Sequence, residues 1–368
     1  IIILKVPAMP KSIAHQVTAL YEILQHEFAL LPTGRQLPAY RALLKKYGCS
    51  RQTLSRTLQL LIENGVIYSE ERSGIFASGK FTSDLYRILF IRVDWCCEHA
   101  DRFSEAIRRE ISKRRNFHYI ELRYPPQNCD SFLEQIDKSS ADLLILWPEE
   151  LSFTSLQRLS SLQLPLILFD SGIMLPNAAI LDIQEELAGM MAAKYLVNRG
   201  HRRIALAITE PKGLTCRKKI NGFMDYLYLA GIVPHVIDIE LSGGEASQSA
   251  SYEFFTYWLQ RNRVDFSACF VLSDYTALGV IRAFQDTGYQ VPKDISIIGC
   301  QGEMAGERSQ PTLTTIIFDA EKVATVLATG IDEVFAGGTF GIRRIPPILI
   351  ERNSVISLPL VKASPPSG

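Results

Sequence analysis

The sequence is poor in the features that announce chemistry. Its six histidines (His15, His26, His99, His118, His201 and His235) lie far apart, and no G-x-S-x-G, Walker or G-x-G-x-x-G signature occurs. Gly243-Gly244 and Gly337-Gly338 read as turns, not phosphate loops. No catalytic residue is therefore expected, and the chain is not read as an enzyme. Seven cysteines, odd in number, form no C-x-x-C pair and offer neither a zinc site nor a thioredoxin-like motif. No metal or cofactor is called for, and free thiols in apolar runs fit a reducing cytoplasm. No segment approaches the ~20 apolar residues of a membrane span. The opening Ile1-Ile2-Ile3-Leu4-Lys5 lacks a methionine, which implies a trimmed or processed start, and is too short for a signal core.

Net charge is also missing: 39 basic residues balance 39 acidic ones. The distribution is uneven, however. Residues 1–80 carry ten Lys/Arg against five Glu, so this segment is +5 and the remainder −5. A basic first fifth on an acidic body suits a DNA-binding head joined to a separate sensor, although an uneven solvated surface has the same signature.

In the head, Ile13, Val17, Leu20, Leu24 and Phe28 recur at helical spacing, with Ser12 as a cap and Pro32 as a stop. Pro38 opens a second helix that Gly48 ends; Ser50 caps a third, from Arg51 to about Asn64, that Gly65 terminates. Two short strands, Val66–Tyr68 and Ile75–Ala77, flank a polar turn. Three helices and a hairpin predict a winged helix-turn-helix. The third helix turns Leu54, Leu58 and Leu61 one way and Gln52, Arg56 and Gln59 the other. Its N-terminus offers backbone N–H groups to phosphate, and Arg or Gln there reads base edges. Arg41 and Lys45 on the second helix are phosphate candidates. A plain solvated face is the competing reading.

The runs Leu37–Leu43, Tyr47–Leu54 and Leu60–Ile67 resemble the winged helix of the GntR family in order and spacing. That resemblance implies DNA contacts at Arg41, Ser50, Arg51 and Thr53, and a wing tip at Ser73-Gly74. Many relatives carry Arg where this chain has Ser55, with Arg56 following, so base preference is not carried over at that point.

Beyond a short linker at 78–83, apolar strands alternate with amphipathic helices, which predicts an α/β body of two parallel sheets covered by helices. A ligand crevice is expected where strand ends face one another. Leu181-Asp182-Ile183, Leu196–Ala205, Lys219–Phe223, Ser273–Gly279, Val291–Gly299 and Pro311–Ile316 together resemble the effector domain of LacI-type regulators, related to periplasmic sugar-binding proteins. The resemblance is weaker over 87–175. It implies a two-subdomain type I periplasmic-binding-protein-like fold in residues 81–368, behind a head in residues 1–80. One subdomain takes 86–183 and 312–339, the other 184–311 and 340–368. It also implies a homodimer without a separate hinge helix.

Effector positions carried over by the resemblance are Lys219, Ser273, Asp274 and Gln301. Sugar-binding relatives usually show Arg, Asn and Asp in place of Lys219, Ser273 and Gln301, so a standard neutral sugar is not specified. Arg217 is a substitute for Lys219. Asp94, Trp95, Trp147 and Asp170 follow candidate strands; each Trp reads equally as a sugar platform or as core. Asp274 has a second reading as a helix cap, and His201 reads as structural. The function expected is a transcription regulator of repressor type, binding near-palindromic operator DNA under control of a carbohydrate-like effector. The alternatives are a body that only dimerises or binds a protein partner, and a transported binding protein, which needs a leader and lacks a basic head.

Overall fold

A computed structural model describes residues 13–29, 31, 34–70, 73–78, 86–94, 98–114, 116–125, 133, 141–148, 151–240 and 247–359. The chain divides into two compact units, residues 1–86 with 115–120, and residues 87–114 with 121–368. Trp95, the Ser12 cap, Pro32 and most of the linker lie outside the described residues.

In the head, α1 (Ile13–Ala29), α2 (Tyr40–Tyr47) and α3 (Arg51–Glu63) precede a hairpin of β1 (Ile67–Glu70) and β2 (Gly74–Ala77). Leu20, Leu24 and Phe28 of α1 bury against Leu43, Tyr47, Leu54 and Leu61. The apolar spacing thus converts into one shared core rather than three amphipathic surfaces. Gly48 closes α2 in the left-handed conformation (φ 57°), returning its N–H to the Leu44 carbonyl. Helix α2 starts at Tyr40, two residues past Pro38, and the last cap of α3 is Asn64, with Gly65 following at φ 72°. The strands pair antiparallel from Ile67–Ala77 to Glu70–Gly74, and Gln36 adds a bridge to Phe76.

The body carries two six-stranded sheets. One runs β13-β7-β6-β5-β3-β4, where β3 is Tyr86–Val93, β4 Phe117–Tyr124, β5 Leu143–Trp147, β6 Leu166–Phe169, β7 Ala178–Asp182 and β13 Ile342–Arg344. The other runs β14-β12-β11-β10-β8-β9, where β8 is Ile204–Ile208, β9 His235–Asp238, β10 Ala268–Val271, β11 Ser296–Cys300, β12 Thr314–Ile317 and β14 Ile348–Ile350. The body is α/β: β13-β7-β6-β5-β3 and β12-β11-β10-β8-β9 pair parallel, and β14 runs antiparallel to β12. Continuous apolar strands such as Leu143–Trp147 and Ile204–Ile208 are buried throughout, as strands covered on both faces must be.

The helices are α4 (Glu98–Ser112), α5 (Phe153–Ser160), α6 (Glu185–Asn198), α7 (Leu214–Leu229), α8 (Ser247–Leu259), α9 (Asp274–Asp286), α10 (Met304–Glu307) and α11 (Ala320–Phe335). Helix α6 packs on α7, α8 on α9, and α4 on α11.

The sheets differ from the expected subdomain limits in one respect. Residues 314–317 pair with β11 and belong to the second sheet, whereas 342–344 pair with β7 in the first. The first subdomain therefore takes its late segment at about 318–345, not 312–339. A three-residue strand such as Ile342-Arg343-Arg344 buries too little apolar surface to show an alternating pattern.

Candidate functional site

On the head, the Ser50 side chain accepts from the Thr53 N–H at 3.1 Å and starts α3. Tyr40 donates to the Arg51 carbonyl at 2.8 Å and ties α2 to the same end. Arg51, Gln52 and Arg56 stand exposed on α3, with Arg41 and Lys45 exposed on α2. Ser73 and Gly74 are exposed at the hairpin, where Gln36 donates to the Ser73 carbonyl at 2.8 Å.

Thr53 departs from expectation. It is fully buried, its hydroxyl bonded to Ser50 (2.8 Å) and Gln16 (3.3 Å), while Thr57 donates to its carbonyl at 2.8 Å. Such a residue positions the helix end and cannot reach a base.

In the body, polar groups gather at the carboxyl ends of the strands, where the two sheets meet through direct bonds. Arg102 of α4 donates to the carbonyls of Gln301 (2.5 Å) and Gly302 (2.7 Å), just past β11. Both carbonyls lie on residues with positive φ, 96° and 70°, which turns the loop toward α4. Lys218 of α7 pairs with Asp170 (2.8 Å) after β6 and with Asp182 (3.6 Å) at the end of β7. The Met304 N–H donates to Glu98 at 3.4 Å.

Two glycines let α6 and α7 of the second subdomain pack closely on each other. A Cβ on Gly189 of α6 would lie 2.0 Å from the Lys219 carbonyl, and one on Gly222 of α7 would lie 1.9 Å from the Glu186 carbonyl. The helices therefore touch backbone to backbone, which brings Glu185 to Lys219 at 3.7 Å, both buried. Lys219 also donates to the Leu272 carbonyl at 3.3 Å. Burial opposes its charge, yet the Glu185 carboxylate holds the ammonium above its ordinary value.

Ser273 caps α9 and donates to Glu210 at 2.5 Å. Asp274 is therefore not the cap. It reaches across to Thr315 (2.6 Å) and the Glu303 N–H (2.8 Å), in space that a side chain on Gly299 would fill. Burial pushes Asp274 up to about 7 and Glu303, beside Asp274, Glu98 and Glu210, up to about 8. Burial likewise raises Glu210 and, against the pull of Lys218, Asp170.

His99 is buried against Phe103, Phe318 and Trp147, with ring centroids 4.8, 5.5 and 6.4 Å away. Burial first, then Arg102 and Lys219, keep it neutral. Neither ring nitrogen makes a hydrogen bond of normal geometry with a described residue.

Of the expected effector residues, Asp170, Lys219, Ser273, Asp274 and the Gln301 backbone come together here. Trp147 is only 8% exposed and wedged between Phe103 and Phe169 at 5.7 and 4.6 Å, so most of its ring is core. Asp94 is exposed near Arg123 (3.9 Å). Arg217 points outward, donating to the Lys212 carbonyl at 2.5 Å, and does not stand in for Lys219. His201 is structural, bonded to Ser267 (2.9 Å) and the Ile356 carbonyl (3.1 Å).

Sequence reasoning missed His99, Arg102, Glu185, Glu210, Lys218 and Glu303. Several of them follow a strand or open a helix, a placement that becomes visible only once strand ends are known.

Residues 193–355 match the family model described as a periplasmic binding protein-like domain. A LacI-family regulator from Enterococcus faecium with bound ribose superposes with a TM-score of 0.63 at 21% identity, covering 74% of this chain and 100% of that one. A lac repressor dimer bound to operator gives 0.65 at 20%, covering 75% and 96%. The body has the fold of LacI-family effector domains. The repressors named PurR from Haemophilus influenzae (strain ATCC 51907 / DSM 11121 / KW20 / Rd) and Histophilus somni (strain 129Pt) are 30% and 29% identical over 194 and 192 residues, 52% of this chain in each case. The matched stretch spans 56% and 57% of those relatives' lengths. In this body the polar cluster sits at the crevice expected for open α/β sheets. No described helix is long and apolar enough to cross a membrane.

Proposed function

We propose that the chain is a DNA-binding transcription regulator, acting as a repressor, whose LacI-type body senses a small molecule. The observation that carries this is the cross-sheet cluster of buried polar groups in a body joined to a head with an exposed basic helix end. The helix-helix-helix-hairpin order supports a winged helix-turn-helix of the GntR kind. In this reading Arg51, Gln52 and Arg56 read bases, Arg41, Lys45 and Ser50 hold phosphates, and Ser73-Gly74 forms the wing tip. The relatives are repressors by name, which supports repression and a cytoplasmic setting.

A homodimer places one head on each half of a near-palindromic operator. The effector binds among Asp170, Lys219, Ser273 and Gln301 and selects one closure of the two sheets, which alters operator affinity. A second reading has an observation in its favour: Lys219 and Ser273 already hold protein partners, as in a body that only dimerises or binds a protein.

Selection of random duplexes on the full chain tests the DNA arm. A single near-palindromic site should emerge, with binding that weakens steeply in salt. Absence of any enriched sequence would sink the proposal.

A further inference from the structure

On the reading that the body binds a small effector, we infer that this effector is an organic cation bearing a primary ammonium group, received by the Glu210 and Glu303 carboxylates beside His99. The argument is one of charge left over. Glu303 is 3% exposed and its Oε2 has no hydrogen-bond partner among the described residues. The charged groups that act on it most strongly are Asp274, Glu98 and Glu210, carboxylates all, opposed by a hydrogen bond from the Tyr275 backbone.

Glu210 already accepts from Ser273 at 2.5 Å and lies within the field of Lys219, so Glu303 is the uncompensated member of the pair; the nearby cations make their direct contacts elsewhere. Lys219 faces Glu185 and the Leu272 carbonyl; Arg102 sits on the Gln301 and Gly302 carbonyls; Arg352 holds the Leu313 carbonyl and Glu307. Asp274 has both oxygens occupied, by Thr315 and the Glu303 N–H. A buried carboxylate whose strongest charged neighbours are acidic lacks a positive charge with N–H donors.

His99 is the independent observation. It is 4% exposed and adjoins the same loop through the Gln301 backbone. A neutral imidazole offers a lone pair to an ammonium without repelling it. The buried rings of Phe103, Phe318 and Trp147 around it keep the imidazole out of water and hold it neutral. Anionic ligands such as uronates or sugar phosphates meet carboxylates here and are refused.

The test is thermal unfolding of the full chain at pH 8 with putrescine, agmatine and glucosamine, against ribose, glucuronate and glucose 6-phosphate, at matched ionic strength. At least one ammonium compound should raise Tm by roughly 4 °C at a hundredfold excess over its Kd. Glu303→Gln, which keeps shape and removes charge, should weaken that affinity roughly tenfold or more. Shifts from ribose or an anion alone would overturn the cation and leave the effector reading standing. An ammonium shift unchanged in both Glu303→Gln and Glu210→Gln would overturn the site. A flat response to every compound would overturn the cation, and the effector reading falls with it if operator binding is equally indifferent to all six.

Discussion

Thr53 and Arg51 stand two positions apart on one helix end, and their environments assign them opposite work. Arg51 is exposed at the first turn of α3, while the Thr53 hydroxyl is spent on Ser50 and Gln16. Arg51→Ala should weaken operator binding by about 1–3 kcal/mol and relax base choice, measured by titration against the selected site and its single-base variants. Thr53→Val should lower stability of the head by about 1 kcal/mol in urea melts, with base preference unchanged. A change in base preference would return Thr53 to the interface. The motif could place both residues on the helix end, but burial of one depends on Gln16, far away in sequence. Lys218 and Lys219 pose the same difficulty: a Lys-Lys pair looks interchangeable until the helix is rotated against Asp170 and Glu185. Lys218→Met should cost roughly 3–5 kcal/mol, because Asp170 would be left buried without its partner.

At the scale of elements, the strongly apolar strands were legible and the short ones were not. Leu143–Trp147, Leu166–Phe169 and Ile204–Ile208 stand out in the sequence as unbroken apolar runs, as strands buried on both faces must be. Thr314–Ile317 and Ile342–Arg344 are four and three residues long and carry Thr or Arg, and Ile348–Ile350 is an apolar run of only three; all are defined by their sheet neighbours. That is why the crossover between subdomains fell a few residues away from its expected place. The α6–α7 contact shows the opposite case, where two glycines visible in the sequence have no meaning until the helices meet. Gly222→Ala would drive a methyl group into the Glu186 carbonyl, with backbone on both sides and no flexible side chain to yield. It should destabilise the body by about 3 kcal/mol in urea unfolding, and a loss within 0.5 kcal/mol would contradict so close an approach.

For the whole molecule, the acid groups set a direction for stability against pH. Asp274 and Glu303 are lifted by burial to about 7 and about 8, from ordinary values of 3.8 and 4.5. The folded state thus holds these protons more tightly than the unfolded chain does. Their contribution is fully present below the ordinary carboxylate range and is lost as pH rises through 7 and 8. His99 acts in the opposite sense, but only below its ordinary 6.5, since it stays neutral in the fold while the unfolded chain takes up a proton there. Above pH 6.5 the acids act alone. Stability of the body should therefore decline between pH 6.5 and 9 by roughly 1 kcal/mol per unit, read from urea midpoints. Glu303→Gln should flatten much of that slope and raise stability at pH 9, because the amide carries no charge to bury. An unchanged slope in this variant would mean that Glu303 ionises freely in the fold. The same outcome would mean that the fold already compensates the Glu303 charge, leaving no uncompensated carboxylate for an ammonium group to neutralise, so the pH profile of the unliganded chain bears directly on what the crevice can hold.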